Sequence, residues 1–146
     1  MEFILIGADG FVGKNLIERN KITFKCYDNG FLHKDLNDNT NYLDITKDLS
    51  NLEIFLDKRK EDFVIINLAA IHHIPYCNEN PSEAMLTNVY GNMKLFELAT
   101  RYGCKKYIFA SSGAVYRPES TPHIERHIAQ SSDVYSSTKI LAEGYL

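Results

Sequence analysis

Tyr135-Ser136-Ser137-Thr138-Lys139 sets a phenol and an ammonium four residues apart, one turn along a helix and on one face of it. A phenol with its ordinary pKa near ~10 is a poor base at neutral pH. Lowering it by ~3 units takes roughly 4 kcal/mol of preferential stabilisation of the phenolate, and a neighbouring lysine is the kind of charge that supplies it. Upstream, Ser111-Ser112 leaves the apolar run Tyr107-Ile108-Phe109. A Ser112 hydroxyl there can hydrogen-bond the same substrate oxygen that Tyr135 protonates or deprotonates. Ser112, Tyr135 and Lys139 are the candidate catalytic set, and the competing reading of Ser112 is a loop-turn serine.

A second constellation lies near the N-terminus. Gly7-Ala8-Asp9-Gly10-Phe11-Val12-Gly13 follows the apolar run Phe3–Ile6 and precedes an amphipathic stretch. In that setting Gly7 permits a tight turn, Gly10 lets backbone approach a pyrophosphate, and Gly13 lets a helix pack closely on a strand. The amides and dipole of the helix start then face phosphate charge. The spacing is Gly-x-x-Gly-x-x-Gly rather than the Gly-x-Gly-x-x-Gly of other dinucleotide sites. Asp28 closes the next apolar run at the distance expected for a carboxylate that accepts from the adenosine ribose hydroxyls. Such a group repels a 2′-phosphate, which favours NAD over NADP. No arginine adjoins Asp28, although Lys25 and Lys34 are near in sequence. The competing reading is a solvated turn before Asn29-Gly30.

The elements that must hold these groups follow from the apolar pattern. Phe3–Ile6 reads as a strand buried on both faces, and Phe11, Val12, Leu16 and Ile17 follow on neighbouring helical turns. Thr23–Tyr27 is a second strand, and a short strand falls near Tyr42-Leu43. Leu49, Leu52, Phe55 and Leu56 mark a helix within Lys47–Lys60, and Phe63–Leu68 is another buried strand. Asn80-Pro81-Ser82-Glu83 predicts a helix start, with Asn80 as cap, Pro81 at the first position and Glu83 closing a capping box. That helix runs through Val89, Met93, Phe96 and Leu98 to Gly103. Lys106–Ser111 is a fifth strand, and a last helix starts near Asp133. Strands separated by helices predict a doubly wound parallel α/β sheet, strand order 3-2-1-4-5, with residues 1–146 forming one dinucleotide-binding Rossmann domain. The long connection from Ser111 to Asp133 is of a length usually reserved for function.

Bulk properties exclude other classes. The chain has 146 residues, the size of one domain, with 45% hydrophobic and 24% charged residues. A net charge of -3 and a pI of about 5.9 argue against a nucleic-acid partner. Cys26, Cys77 and Cys104 cannot all pair within one chain, which points to a reducing compartment and to small buried apolar side chains. No apolar run approaches the ~20 residues of a membrane span, and the start lacks a basic leader. The expectation is a cytoplasmic protein without a membrane partner, holding no metal.

Taken in order, these segments resemble the extended short-chain dehydrogenase/reductases, specifically the NAD-dependent epimerase/dehydratase family acting on nucleotide sugars. The carrying residues are Gly7, Gly10 and Gly13, then Asp28-Asn29, Asp44-Ile45, Asn67-Leu68-Ala69-Ala70, Thr87-Asn88-Val89-Tyr90-Gly91, Ser-Ser-x-x-Val-Tyr at 111–116, and Tyr135-x-x-x-Lys139. The resemblance implies NAD contacts from Gly7, Asp9, Gly10, Phe11, Val12, Gly13, Asp28, Asn29, Asp44, Ile45, Leu68, Ala69, Ala70, Asn88, Ser111, Tyr135 and Lys139. It implies Ser112 as the catalytic Ser/Thr, Tyr135 as acid/base, and Lys139 on the nicotinamide ribose. His72, Ser112 and Tyr135 would face the nucleotide-sugar substrate, with His72-His73 equally readable as a solvated loop. A homodimer through the helices beginning near Pro81 and Asp133 fits the family.

Departures narrow this reading. Gly113-Ala114 stands where sugar 4,6-dehydratases carry an acidic pair, which argues against a dehydratase. Arg117 replaces the glycine common after Val-Tyr, and Ser136 replaces the Gly or Ala common after the catalytic Tyr. The chain stops at Leu146, so the expectation is an N-terminal portion without its substrate region and inactive by itself. An NAD-dependent epimerase leads; a sugar-nucleotide reductase, a decarboxylase, and a non-catalytic NAD-binding regulator are the alternatives.

Overall fold

The computed structural model describes residues 1–31, 36–59, 62–117 and 122–146; Lys34 and Lys60 lie outside the described residues. The chain divides into two compact units, Met1–Ala69 with Lys94–Ala110, and Ala70–Met93 with Ser111–Leu146.

The first unit holds a five-stranded parallel sheet: β1 (Glu2–Ile6), β2 (Phe24–Asp28), β3 (Thr40–Tyr42), β4 (Phe63–Asn67) and β5 (Lys106–Phe109). The strand order is β3-β2-β1-β4-β5, as the alternating pattern predicts. Ile4 lies opposite both Lys25 of β2 and Ile65 of β4. Period two sends neighbouring residues to opposite faces. Ile4, Ile6, Tyr27, Phe63 and Ile65 fill one face with Leu52 and Leu56 of α2 (Ser50–Asp57) and with Leu95, Leu98 and Ala99. Leu5 and Cys26 fill the other, with Leu16 of α1 (Phe11–Arg19) packed against them. Burial on both faces explains why β1 and β4 read as unbroken apolar runs. β1 starts one residue earlier than expected, β2 is shifted by one residue, and β4 and β5 end one and two residues early. Of the cysteines, Cys26 and Cys77 are buried as expected, while Cys104 is half-exposed, and all three are free thiols.

The second unit is built on helices. α3 (Ile74–Glu79) follows His72-His73, where the sequence suggested only a loop. α4 (Pro81–Met85) begins at Pro81 as expected, but the predicted capping box is absent. Asn80 Nδ2 instead donates to Tyr76 O at 3.1 Å, and Glu83 accepts the Tyr76 hydroxyl at 2.7 Å. The unforeseen α3 lies just upstream and offers those partners, so both side chains turn back to it.

The helix then widens into a π turn, Leu86–Gly91, before α5 (Asn92–Arg101). Asn92 Nδ2 serves the carbonyls of Thr87 and Asn88 in the widened turn, at 3.3 and 2.9 Å. Gly103 ends α5 at φ 68°, a left-handed conformation that glycine adopts without strain. A single 3₁₀ turn (Gly113–Val115) and a bridge between Tyr116 and Ala129 order parts of the long connection before α6 (Val134–Tyr145). No helix among the described residues is long and apolar enough to cross a membrane.

Candidate active site

In the first unit the glycine loop joins β1 to α1. Gly7 has φ 81°, and a Cβ there would meet Ala69 N and Leu68 C at 2.9 Å. A Cβ on Gly13 would meet the carbonyl oxygens of Gly7 and Ala8 at 2.5 Å. Protein packing alone therefore demands both glycines. Gly10 differs: its φ is -69°, and a Cβ there would meet only Gly7 O, at 3.3 Å. Among the described residues nothing else lies within 4 Å of such a Cβ, so packing there does not demand glycine at position 10.

The first α1-type bond is Lys14 N to Gly10 O at 3.0 Å. The amides of Phe11, Val12 and Gly13 precede it and are the orphan donors of a helix start. Phe11, 82% exposed, and Val12, also exposed, open this helix. Orphan amides at a helix start above a gap the size of a side chain suit a pyrophosphate.

Asp28 ends β2 with both oxygens engaged. Oδ2 accepts from Asp9 N at 3.0 Å and Oδ1 from Gly30 N at 2.9 Å. Each oxygen keeps a second lone pair, so a fixed carboxylate can still take ribose hydroxyls. Asp9 itself is buried, its carboxylate turned onto Asn37 and Thr40. Asn29 is exposed, and its Oδ1 accepts from Phe31 N. Burial raises the Asp44 carboxyl, but hydrogen bonds from Thr46 and the Lys47 ammonium outweigh this and hold it below the usual carboxylate range. Ile45 packs its side chain into the core, as Leu68 and Ala69 partly do. Asn67 fixes the end of β4, accepting from Ala69 N and donating to the Tyr107 hydroxyl at 2.8 Å.

In the second unit α6 carries the phenol and the ammonium. Its start is fixed by a capping box: Asp133 accepts from Ser136 N at 2.8 Å and Ser136 Oγ accepts from Asp133 N at 3.1 Å. Ser136, odd against the family pattern, is thus the reciprocal cap. Asn78 of α3 accepts from Val134 N at 3.1 Å. Tyr135, 8% exposed, packs against Ile71, Cys77 and Ala84. The Lys139 Nζ lies 5.9 Å from the Tyr135 ring centroid. Lys139 is 2% exposed, and burial pulls its ammonium down to about 8, against the opposing pull of Glu143 and Cys77.

Asn88, in the π turn, is wholly buried. It accepts from Ile71 N at 2.8 Å and donates to Ile71 O at 2.9 Å and to Thr138 Oγ1 at 3.0 Å. Thr138 Oγ1 donates in turn to Tyr135 O at 2.7 Å. The side chain expected to serve a cofactor thus secures the helix of Tyr135. Ser112 opens the 3₁₀ turn and accepts from Ala114 N at 3.2 Å, keeping its O–H as a donor. Ser111 donates to Glu143. Ala70 is half-buried, and His72 and His73 are exposed.

Sequence reasoning missed Thr138, Ser136, Cys77 and Glu143. Glu143 alone left a signal, four residues beyond Lys139 on the same face. No group of three or more His, Cys, Asp or Glu among the described residues could hold a metal ion.

The chain matches the profile described as NAD dependent epimerase/dehydratase family over residues 3–146. It is 34% identical over 94 residues to UDP-glucose 4-epimerase 3 of Oryza sativa subsp. japonica, covering 64% of this chain and 25% of that protein. It is 29% identical over 155 aligned positions to dTDP-4-dehydro-6-deoxyglucose reductase of Escherichia coli, covering 98% of this chain and 49% of that protein. The crystal structure of UDP-glucose 4-epimerase with UDP-glucose from Thermotoga maritima superposes with a TM-score of 0.84 at 26% identity, covering 99% of this chain and 50% of that one. The chain therefore spans about a quarter to a half of the length of these relatives.

Proposed function

The chain belongs to the NAD dependent epimerase/dehydratase family, an enzyme family, and from that premise we propose that it supplies the dinucleotide-binding and proton-transfer part of a nucleotide-sugar 4-epimerase. The amides of Phe11, Val12 and Gly13 would receive the pyrophosphate, Asp28 the adenosine ribose, and Lys139 the nicotinamide ribose. NAD, when bound, supplies a reversible hydride acceptor for a sugar carbinol carbon. Tyr135 takes the proton of that carbinol and returns it when the keto sugar is reduced on its other face. Ser112 donates to the same oxygen and holds it against Tyr135. His72, exposed after β4, would reach the substrate's diphosphate side.

One observation supports this reading above the others: a phenol and an ammonium buried together on one face of a helix whose start is doubly capped. Lys139 is nearly inaccessible and costs stability to bury, and its place beside the Tyr135 ring fits a role in tuning the phenol beyond binding ribose. The regulator reading is weaker for that reason. A dTDP-sugar reductase is the second reading, favoured by a relative of that activity matched over 98% of this chain.

The test supplies the protein that carries this chain with UDP-glucose and, separately, with a dTDP-4-keto-6-deoxy sugar. An epimerase yields UDP-galactose with no net change at 340 nm. A reductase consumes reduced cofactor one for one with the keto sugar. Neither product, with NAD still bound, refutes the enzymatic reading. The 146-residue chain alone is expected to bind NAD and turn over neither substrate.

A further inference from the structure

The third residue of the glycine loop departs from what a phosphate loop needs. Phosphate binding asks position 9 for a backbone amide and no charge, yet the residue is an aspartate 3% exposed. Its carboxylate accepts from Asn37 N at 3.1 Å, from Thr40 Oγ1 at 3.1 Å, and from the Asn37 side-chain amide. Its own amide is spent on Asp28. Asp9 therefore has little left to offer a ligand directly. What it does is fix two neighbours. Its main-chain amide holds the Asp28 carboxylate, and its side chain ties down the segment that leads into β3.

We propose that Asp9 is a positioning residue that makes this dinucleotide site selective for NAD over NADP. The proposal rests on the reading that the chain binds a nicotinamide dinucleotide. Asp28 is the group proposed to meet the ribose hydroxyls, so a 2′-phosphate would have to be accommodated beside it, and Asp9 links Asp28 to the segment 36–40. Asp9 opposes this twice. It holds that segment through Asn37 and Thr40, so the segment cannot swing aside. It also adds a second carboxylate, on the residue whose amide holds Asp28, against a group that carries about two negative charges.

The charges around the pair leave this in place. Among the described residues no lysine or arginine bridges Asp9 or Asp28. Lys25 is engaged by Asn41 at 3.2 Å and lies over the rings of Tyr27 and Phe55. Among the described residues Cys26 is a titratable neighbour of Asp9. Burial first, and the Asp9 charge second, push its thiol up.

The experiment measures dissociation constants of the 146-residue chain for NAD and for NADP by calorimetry, in the wild type, Asp9→Asn and Asp9→Ser. Melting curves run in parallel report any general loss of stability. The wild type is expected to prefer NAD. Asp9→Asn keeps an acceptor and removes the charge, and should narrow the NAD/NADP ratio roughly tenfold, with NAD affinity falling a few-fold at most. Asp9→Ser removes the tether as well and should narrow it further. A wild type that discriminates while both variants keep its ratio within twofold overturns the proposal, whatever their melting temperatures. A wild type that binds both cofactors equally also overturns it. A wild type that binds neither overturns the cofactor reading beneath it. Should the Asp9 variants fail to fold, Thr40→Val decides: it loosens the tether without altering the loop, and an unmoved ratio overturns the proposal.

Discussion

Gly10→Ala separates what the fold requires of the glycine loop from what a ligand requires. An added Cβ would meet one atom, Gly7 O at 3.3 Å, a contact that a shift of a few tenths of an ångström relieves. The φ of -69° is open to any residue. Restricting the unfolded chain contributes about 0.4–1 kcal/mol, and alanine is a poorer N-cap than glycine by a similar amount. The two offset, so stability should move by less than about 1 kcal/mol. At Gly13 the same methyl meets two carbonyl oxygens at 2.5 Å, and both belong to the loop backbone. Overpacking of that kind costs about 1–3 kcal/mol, less the gain in helix propensity of up to about 1. The functional expectation runs the other way. On the proposed placement the methyl of Gly10→Ala would stand where the diphosphate approaches the amides of α1, displacing at least two charge-assisted hydrogen bonds. NAD affinity should fall by about a hundredfold, or 2.7 kcal/mol. Urea melts and calorimetric titration of the two variants give all four numbers. Gly10→Ala binding NAD within threefold of wild type would refute the placement of the pyrophosphate over Gly10.

Three further outcomes follow from the second unit. Tyr135→Phe in the active protein should keep cofactor affinity and lose turnover by a factor of about 100 or more, with steady-state rates as the check. Asn88→Ala leaves the buried N–H of Ile71 unpaired and its carbonyl with only the weak Cys77 thiol donor, and should cost about 2 kcal/mol in denaturant unfolding; a loss under about 0.5 would show that the tie is dispensable. Lys139 has a folded pKa of about 8, below its unfolded value near 10.5. The unfolded chain then holds more protons between these values, so the lysine's contribution to stability rises with pH across that window. Tyr27, pushed up to about 12, and the raised cysteines work in the opposite sense above pH 9. The comparison is therefore wild type against Lys139→Met from pH 7 to 9, where the stability gap should narrow as pH rises. A constant gap would place the ammonium in contact with water.

The sheet was legible because each strand announces itself. Phe3–Ile6 and Phe63–Ile66 are buried on both faces, and turn residues bound them closely enough to fix strand number and order. The glycine loop was legible because backbone geometry there admits few residues, and α6 because Asp133 precedes an amphipathic run. Side-chain bonding choices were not. Asn80 and Glu83 spell a capping box, yet they bond to Tyr76 because a short helix stands upstream. That helix left little trace, since Ile74-Pro75-Tyr76-Cys77 has too few turns for a period. Asn88 and Thr138 are fifty residues apart, and nothing local tells either that the other is its partner.

The positions where this chain departs from ordinary local rules are also the ones proposed to act. A helix that begins on exposed Phe11 and Val12 with uncapped amides gives up the stability a capping side chain would add. A π turn interrupts an otherwise regular helix at Asn88, and single π turns in helices concentrate at functional sites. A lysine with 2% exposure keeps an ammonium where burial opposes it. The π turn also serves folding by presenting Asn88 to Ile71 and Thr138, whereas serine at position 10 or an apolar residue at position 139 would avoid a local cost. Each of the three departures is what its proposed partner needs, respectively a diphosphate, a firmly held catalytic helix, and a phenol that exchanges a proton with a sugar hydroxyl. Local costs that fall on the proposed chemistry, while the sheet around β1 and β4 stays regular, are what separates a site from a fold.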